Sequence, residues 1–236
     1  MTFTATVTAD SGGGTPSGTI TFTVDGTPQA PVGLDGSGQA SFSTAALAIG
    51  SRSIEAAYSG DTDYIASNDT LTQTVNQIGT TVALASSQNP SNSGYSVTFT
   101  ATVAAATGGS APTGTVTFSV DGTPQPPIAL DGSGEASFST AALAPGAHAI
   151  AADYSGDTNY VASNASLTQT VDQIGTTTAL ASSLNPSSPG DSVTFTATVT
   201  AASGGGTPSG TITFIIDGIA EAPVALDGSG QVSFTT

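Results

Sequence analysis

A repeat of 96 residues is the feature of this 236-residue sequence that most restricts how it can fold. The string Thr-Phe-Thr-Ala-Thr-Val begins at Thr2, Thr98 and Thr194, so each copy lies 96 residues after the one before. A period of this length exceeds the roughly 20–45 residues of solenoid units, which bury a core only by stacking on their neighbours. Each repeat is therefore expected to be a domain with its own core.

The apolar residues of the middle repeat alternate with Thr and Ser, as in half-buried β-strands. Asp-Gly pairs at 121–122 and 131–132 are typical of hairpins because both residue types tolerate positive φ. The pattern predicts an all-β domain of about seven antiparallel strands without substantial helix. The apolar positions that carry it are Val82, Leu84, Val97, Phe99, Ala101, Val103, Val116, Phe118, Val120, Ile128, Leu130, Phe138, Ile150, Ala152, Tyr154 and 167–171.

The phase of the repeat predicts three domains. Residues 1–79 form a repeat that lacks its first strand, residues 80–175 form a complete repeat, and residues 176–236 form the N-terminal part of a third. Only the four residues Asp172–Gly175 join the last strand of the middle repeat to the next strand, too few for a free tether. We therefore expect a semi-rigid rod of domains. Met1 stands where the other repeats have Val97 and Val193, so we expect a GTG codon of a longer array to have been read as a start.

Four motifs of the middle repeat resemble those of the bacterial Ig-like domain repeat family of large secreted and surface proteins. They are Pro112-Thr-Gly-Thr-Val-Thr-Phe118, Leu143-Ala-Pro-Gly146, Tyr154-Ser-Gly-Asp157 and Leu167-Thr-Gln-Thr-Val171. The resemblance implies tandem immunoglobulin-like antiparallel β-sandwiches, arranged end to end, at a bacterial cell surface or outside the cell. It further implies a stalk, spacer or adhesion role, and it carries over no catalytic residue.

The composition argues against several classes of partner. The formal net charge is −16, and Arg52 and His148 are the only basic side chains. Without a basic patch to neutralise phosphates, nucleic acid and anionic membrane surfaces are poor partners. Cysteine is absent, so disulfides and thiolate metal sites are excluded. No stretch is long and apolar enough to insert into a membrane.

Catalysis is not expected of this sequence. Nucleophilic or acid–base chemistry needs a histidine, lysine or carboxylate beside a reactive group, and no repeat holds such a set apart from its turn aspartates. The single histidine, His148, aligns with Arg52 of the first repeat, which indicates a structural or surface position. We predict a non-enzymatic protein without a cofactor, except for the calcium considered next.

Two interpretations stay open for the loops that follow Tyr58 and Tyr154. Asp61 and Asp63 in one loop, and Asp157 and Asn159 in the other, offer closely spaced oxygens of the kind that bind calcium. Calcium takes six to eight oxygens, so backbone carbonyls, waters or a nearby carboxylate would have to complete the site. The other interpretation, which we favour, is that the aspartate holds the turn through backbone N–H groups while the tyrosine packs inside.

Three functions are compatible with these observations. The first is mechanical, with repeats acting as a spacer or stalk through contacts with neighbouring repeats of the same chain. The second is adhesion, with the repeats binding a cell-surface glycan or protein through loops or an edge strand. The third is self-assembly, with other copies of the chain donating the strand that the first repeat lacks.

Overall fold

The computed structural model describes residues 1–236 and contains β-strands and loops but no helix, which confirms the predicted all-β class. No helix in it is long and apolar enough to cross a membrane. Contacts divide the chain into two compact units. The first unit comprises Met1–Thr80, Ala105–Gly108 and Gly156–Val161, and the second comprises Thr81–Ala104, Gly109–Ser155 and Ala162–Thr236. The boundaries of the three predicted domains stay a prediction.

The first repeat contains seven strands in two sheets. In one sheet β1 pairs only with β5, and in the other the order is β3-β2-β6-β7, with β4 also paired to β2. The strands are β1 Thr2–Thr6, β2 Thr19–Val24, β3 Thr27–Pro28, β4 Val32–Gly33, β5 Gln39–Ser43, β6 Gly50–Tyr58 and β7 Ser67–Val75. The edge of β1 opposite β5 has no strand beside it in this chain.

The middle repeat repeats this plan and adds two strands. They are β8 Thr80–Ser86, β9 Ser91–Asn92, β10 Val97–Ala105, β11 Thr115–Val120, β12 Thr123–Pro124, β13 Ile128–Ala129, β14 Glu135–Thr140, β15 Gly146–Tyr154 and β16 Ser163–Asp172. One sheet has the order β14-β10-β8 and the other the order β12-β11-β15-β16-β9, with β13 paired to β11. Strand β9 runs parallel to β16, a pairing that the alternation pattern did not predict.

The third repeat contributes seven strands, most of them short. They are β17 Thr176–Ser182, β18 Thr194–Ala201, β19 Thr211–Ile212, β20 Ile215–Ile216, β21 Ile219–Ala220, β22 Val224–Ala225 and β23 Gln231–Thr235. One sheet has the order β17-β18-β23, while β19 pairs with β22 and β20 with β21.

Aromatic rings form the centre of the middle repeat. Phe99 of β10 and Phe118 of β11 are fully buried, and the ring of Phe138 stacks on both, with centroid distances of 6.5 and 5.9 Å. Since β10 and β11 belong to different sheets, these rings fill the space between the two layers. Each strand buries alternate residues because successive side chains point to opposite faces of a sheet.

The Asp-Gly pairs form the tight turns that the sequence predicts. Asp121 has φ +49° and Gly122 has φ +79°, and Asp25-Gly26 and Asp217-Gly218 adopt the same conformation. Two successive residues with positive φ match the twist of the flanking strands, which is why this turn favours Asp or Asn followed by Gly. The turn fixes the register in which Val120 pairs with Thr123.

Candidate functional site

The Asp61 carboxylate organises the loop that follows β6. Its Oδ1 accepts the N–H of Asp63 at 2.9 Å and of Tyr64 at 2.8 Å. Its Oδ2 accepts both the N–H and the hydroxyl of Ser17 at 2.8 Å. These bonds, first among them the one from the Ser17 amide, hold the pKa of Asp61 well below its ordinary value. The ionised carboxylate thus ties its own loop to the segment before β2.

The second loop has the same construction around Asp157. Its Oδ1 accepts the N–H of Asn159 at 2.7 Å and of Tyr160 at 2.9 Å. The preceding tyrosines are buried, Tyr58 to 4% exposure and Tyr154 to 2%. Each hydroxyl donates to a backbone carbonyl, that of Ser17 or Thr113. These contacts are the ones that the turn interpretation predicts.

The calcium interpretation involves the same four residues in two separate loops. Asp61 and Asp63 share the first loop, and Asp157 and Asn159 share the second. Four donors already occupy the Asp61 oxygens, whereas Asp63 and Asn159 have exposed side chains. No group of three or more His, Cys, Asp or Glu side chains lies together in the structure. Calcium binding stays a prediction that a melting experiment can test.

His148 and Arg52 perform the same structural task in their respective repeats. His148 Nδ1 lies 2.7 Å from Asp121 Oδ2, and its Nε2 lies 2.7 Å from the carbonyl oxygen of Ala144. Arg52 contacts the corresponding groups, with Nη1 3.2 Å from Asp25 Oδ2 and Nε 2.9 Å from the Ala48 carbonyl oxygen. Both side chains join the Asp-Gly turn to the loop before their own strand, in keeping with the predicted structural position.

A buried glutamine holds the first and last strands of the middle repeat together. Gln169 of β16 is 0% exposed, and its Oε1 accepts the hydroxyl of Ser86 at 2.6 Å. Its Nε2 donates to the Gln88 carbonyl at 2.9 Å and to Ser91 Oγ at 3.2 Å. A buried amide must satisfy its donors and acceptors inside the protein, and this one does. The alternation pattern does not predict this role, and its one signal in the sequence is a glutamine inside an otherwise alternating strand.

The connection between the first and middle repeats lies along the Asp157 loop. Ile78 N donates to the Asn159 carbonyl at 2.8 Å, and Val161 N donates to the Ile78 carbonyl at 2.9 Å. Ile78 and Tyr160 thereby form a short parallel bridge within the first unit. The Gln77 side-chain amide also donates to the Asp157 carbonyl at 2.8 Å. Hydrogen bonds thus hold this connecting segment, whose counterpart Asp172–Gly175 the sequence predicts to be too short for a free tether.

The aspartates of the Asp-Gly-Ser-Gly hairpins are turn residues, as the sequence predicts. Asp131 Oδ1 accepts the N–H and the hydroxyl of Ser133 at 2.9 and 2.7 Å, and the N–H of Glu135 at 2.9 Å. Asp35 and Asp227 make the same set of bonds. The bonds from backbone and hydroxyl donors lower the pKa of all three carboxyls. These carboxylates stabilise turns through donors of their own hairpins.

Comparison with known proteins identifies a family for most of the chain. The family described as "Bacterial Ig-like domain (group 3)" matches residues 1–76 and 84–172. No curated protein sequence matches significantly.

Solved structures with similar architecture include fibronectin(III)-like modules of Clostridium thermocellum CbhA, at 18% identity and TM-score 0.34, over 73% of this chain and 85% of that one. Another is Salmonella alpha-2-macroglobulin reacted with methylamine, at 12% identity and TM-score 0.30, over 93% of this chain and 19% of that one. A third is Sidekick-1 immunoglobulin domains 1-5, at 15% identity and TM-score 0.27, over 91% and 45%. All three TM-scores lie below 0.5, so the assignment of an Ig-like fold to this chain rests on the family match and on the sheet topology.

Proposed function

We infer the function of this chain from the fact that it belongs to the bacterial Ig-like domain family, group 3, and we propose that it is a stalk or spacer segment. Members of this family are generally non-catalytic and typically occur in extracellular or surface proteins. The chain acts, in this proposal, as a non-enzymatic part of a bacterial surface or secreted protein. Each repeat contributes length and mechanical continuity.

The observation that carries the proposal is the hydrogen-bonded connecting segment. A spacer transmits position only if its junctions resist bending, and a free polypeptide linker does not. Beyond the bonds of Gln77 and Ile78, Ala106 N donates to the Gly79 carbonyl at 2.8 Å, and Thr80 Oγ1 donates to the Val161 carbonyl at 2.7 Å. Four successive residues of the connection are thus held, which supports a junction of limited freedom.

The local construction of the repeats supports the same role. The polar loops and hairpins are closed by hydrogen bonds from their own aspartates, as at Asp61 and Asp131. A loop whose polar groups are used internally keeps its shape without a ligand. These side chains therefore serve the stability of the repeat.

Binding measurements on the full chain test the proposal, because a stalk segment is expected to bind neither glycans nor cells. The full chain, labelled at one engineered surface cysteine, is applied to glycan arrays and to cells of several types. A stalk segment gives no saturable signal above an unrelated β-sandwich protein of similar net charge. Reproducible, saturable binding that unlabelled chain competes away contradicts the stalk proposal and favours an adhesion module.

A further inference from the structure

The polypeptide enters and leaves the middle repeat at opposite ends of β16. The connection from the first repeat reaches the loop before β16, where Ile78 lies beside Tyr160. The connection to the third repeat begins after Asp172, the last residue of β16. A strand of this length extends for roughly 30 Å, at about 3.3 Å per residue. Tension applied through the neighbouring repeats therefore acts along the axis of β16.

Strand β9 joins the N-terminal part of the middle repeat to the end of β16. It runs parallel to β16, with Ser91 opposite Val171 and Asn92 opposite Asp172. Directly after β9, the N–H of Ser93 donates to the Asp172 carbonyl at 3.0 Å. A pull on β9 points back toward the first repeat, whereas a pull on β16 points toward the third. Because the two strands are parallel, tension makes them slide past each other along their axes.

The side chain of Asn89 extends this pairing along the edge of β16. Its Nδ2 donates to the Thr168 carbonyl at 2.7 Å, and its Oδ1 accepts the N–H of Thr170 at 3.0 Å. One carboxamide thus satisfies a donor and an acceptor of the β16 backbone, as a residue of a neighbouring strand would. The segment before β9 is therefore fixed to β16 together with β9 itself.

Gln169 reaches from β16 to the same segment through the interior. Its Nε2 donates to the Gln88 carbonyl at 2.9 Å and to Ser91 Oγ at 3.2 Å, and its Oε1 accepts the hydroxyl of Ser86 at 2.6 Å. The side chain is 0% exposed, so a bond that stretches must break before water can replace it. Ser86 ends β8, which belongs to the other sheet, so Gln169 connects both sheets to the last strand.

The direction of a pull decides how strongly these bonds resist it. Hydrogen bonds between strands run across the strand axes. A pull along the axes stretches all of them together, so they have to break in a single step. A pull across the axes opens them one after another, which requires a smaller force. Forced unfolding is governed by the unfolding rate, and the bonds that break in the transition state set that rate.

We propose that residues 86–93 and 168–172 form a mechanical clamp, which keeps the middle repeat folded while its two neighbours pull on it. The clamp lies where the strand that leaves the repeat meets the segment that follows the entering strand β8. This inference rests on the proposed stalk function, because a stalk is what places tension along the chain. It adds to that function a defined set of side chains, those of Asn89 and Gln169, that resist the tension.

Single-molecule force spectroscopy on the full chain tests the clamp. The chain has no cysteine, so DNA handles can be attached at two exposed positions by Thr81→Cys and Gln173→Cys, which pull along the strands. An extension of roughly 300 Å identifies unfolding of the residues between the handles. A second pair, Thr123→Cys and Ser166→Cys, pulls across the sheet from β12 to β16. The unfolding force is expected to be higher with the first pair of handles.

Variants of the two clamp side chains are expected to weaken the repeat in one direction only. Under a pull along the strands, Asn89→Ala and Gln169→Ala should each raise the unfolding rate at constant force about tenfold, as the loss of two hydrogen bonds implies. Under a pull across the sheet, both should unfold at close to the wild-type rate. The matched control Asn164→Ala changes an exposed asparagine of β16 outside the clamp and should behave like wild type in both directions.

A core variant separates the clamp from general stability. Val116 is 0% exposed and lies opposite Tyr154, at the other end of the sheet from Val171. Val116→Ala should lower the melting temperature and leave the unfolding rate under a pull along the strands close to that of wild type.

Three results would each overturn the clamp. They are equal unfolding forces in the two directions, wild-type rates in both Asn89→Ala and Gln169→Ala, and an effect of Val116→Ala as large as theirs under a pull along the strands. The clamp and the stalk role can fail separately. Loss of the clamp leaves the result of the glycan and cell binding test unchanged, and saturable binding in that test leaves the measured forces unchanged.

Discussion

His148 Nδ1 lies 2.7 Å from Asp121 Oδ2, and this contact ties the Asp-Gly turn of the middle repeat to the strand that begins at Gly146. The hydrogen bond to Asp121, followed by the one to the Ala144 carbonyl, raises the pKa of His148. The bond to His148, in turn, is the main cause that lowers the pKa of Asp121. Both ring nitrogens face acceptors, so the protonated imidazole satisfies both contacts.

The middle repeat is therefore expected to lose stability in alkaline solution. A folded-state pKa raised above the ordinary value of about 6.5 gives stabilisation that is complete below that value and is lost as the pH rises through the folded-state pKa. We therefore expect the melting temperature of the middle repeat, measured by calorimetry on the full chain, to stay level up to about pH 6.5 and to decrease as the pH rises further.

The variant His148→Arg provides the control. Arg52 makes the same contacts in the first repeat and stays charged throughout this range, so the variant should lose the pH dependence while keeping the stability. An unchanged slope in His148→Arg would show that another group is responsible.

Asp61 is expected to stabilise the first repeat at neutral pH and not in strong acid. Its pKa is held below the ordinary value, so its contribution is present above about pH 4 and disappears as the pH falls through the folded-state pKa. The variant Asp61→Asn should melt below wild type at pH 7, and the difference should shrink with acidification. Asp63→Asn, two residues later, is the control and should melt like wild type, because Asp63 contributes only its backbone N–H to this network.

The calcium hypothesis makes a different prediction for the same pair of residues. A calcium site would need Asp63 as well as Asp61, so EDTA would lower the melting temperature and Asp63→Asn would abolish that effect. We expect no effect of EDTA, because four donors occupy the oxygens of Asp61. A drop with EDTA that added calcium reverses would establish the metal site instead.

The buried Gln169 is expected to contribute strongly to the middle repeat. Replacing it by Ala removes the partner of Ser86 and opens space beside Ser91, at a cost of about 1–3 kcal/mol in the free energy of unfolding. The counterpart substitution Gln73→Ala should change the free energy of unfolding by less than about 0.5 kcal/mol, because Gln73 is partly exposed. Equal losses in both variants, measured by denaturant titration, would contradict the assigned role of the amide.

Much of the fold could be predicted from particular residues. Alternation around Phe99 and Phe118 identifies strands because a sheet with one buried face requires period two, and Asp121-Gly122 identifies a turn because few residues adopt its φ values. The segment around Ile128 yields only a two-residue strand, β13, since Pro126 and Pro127 before it lack the N–H that a ladder needs.

Contacts between residues distant in sequence could not be predicted in this way. Gln169 meets Ser91 across 78 residues, and Ile78 meets Tyr160 across 82. No local pattern encodes which loop a connecting segment lies on, because the alternation of one strand does not specify its partner. The aspartate loops were an intermediate case, since Asp157 suggested a turn, but only the structure identified its donors.

The measurement that tests the central claim most directly is the distribution of distances across the first junction. The chain contains no cysteine, so spin labels can be placed at two equivalent exposed positions by Thr27→Cys and Thr123→Cys. Pulsed electron paramagnetic resonance should give one narrow distance in wild type, and a broad distribution when Gln77 and Ile78 are both replaced by Gly. A broad distribution in wild type, unchanged by those replacements, would show that the connection is a flexible tether and would contradict the stalk account.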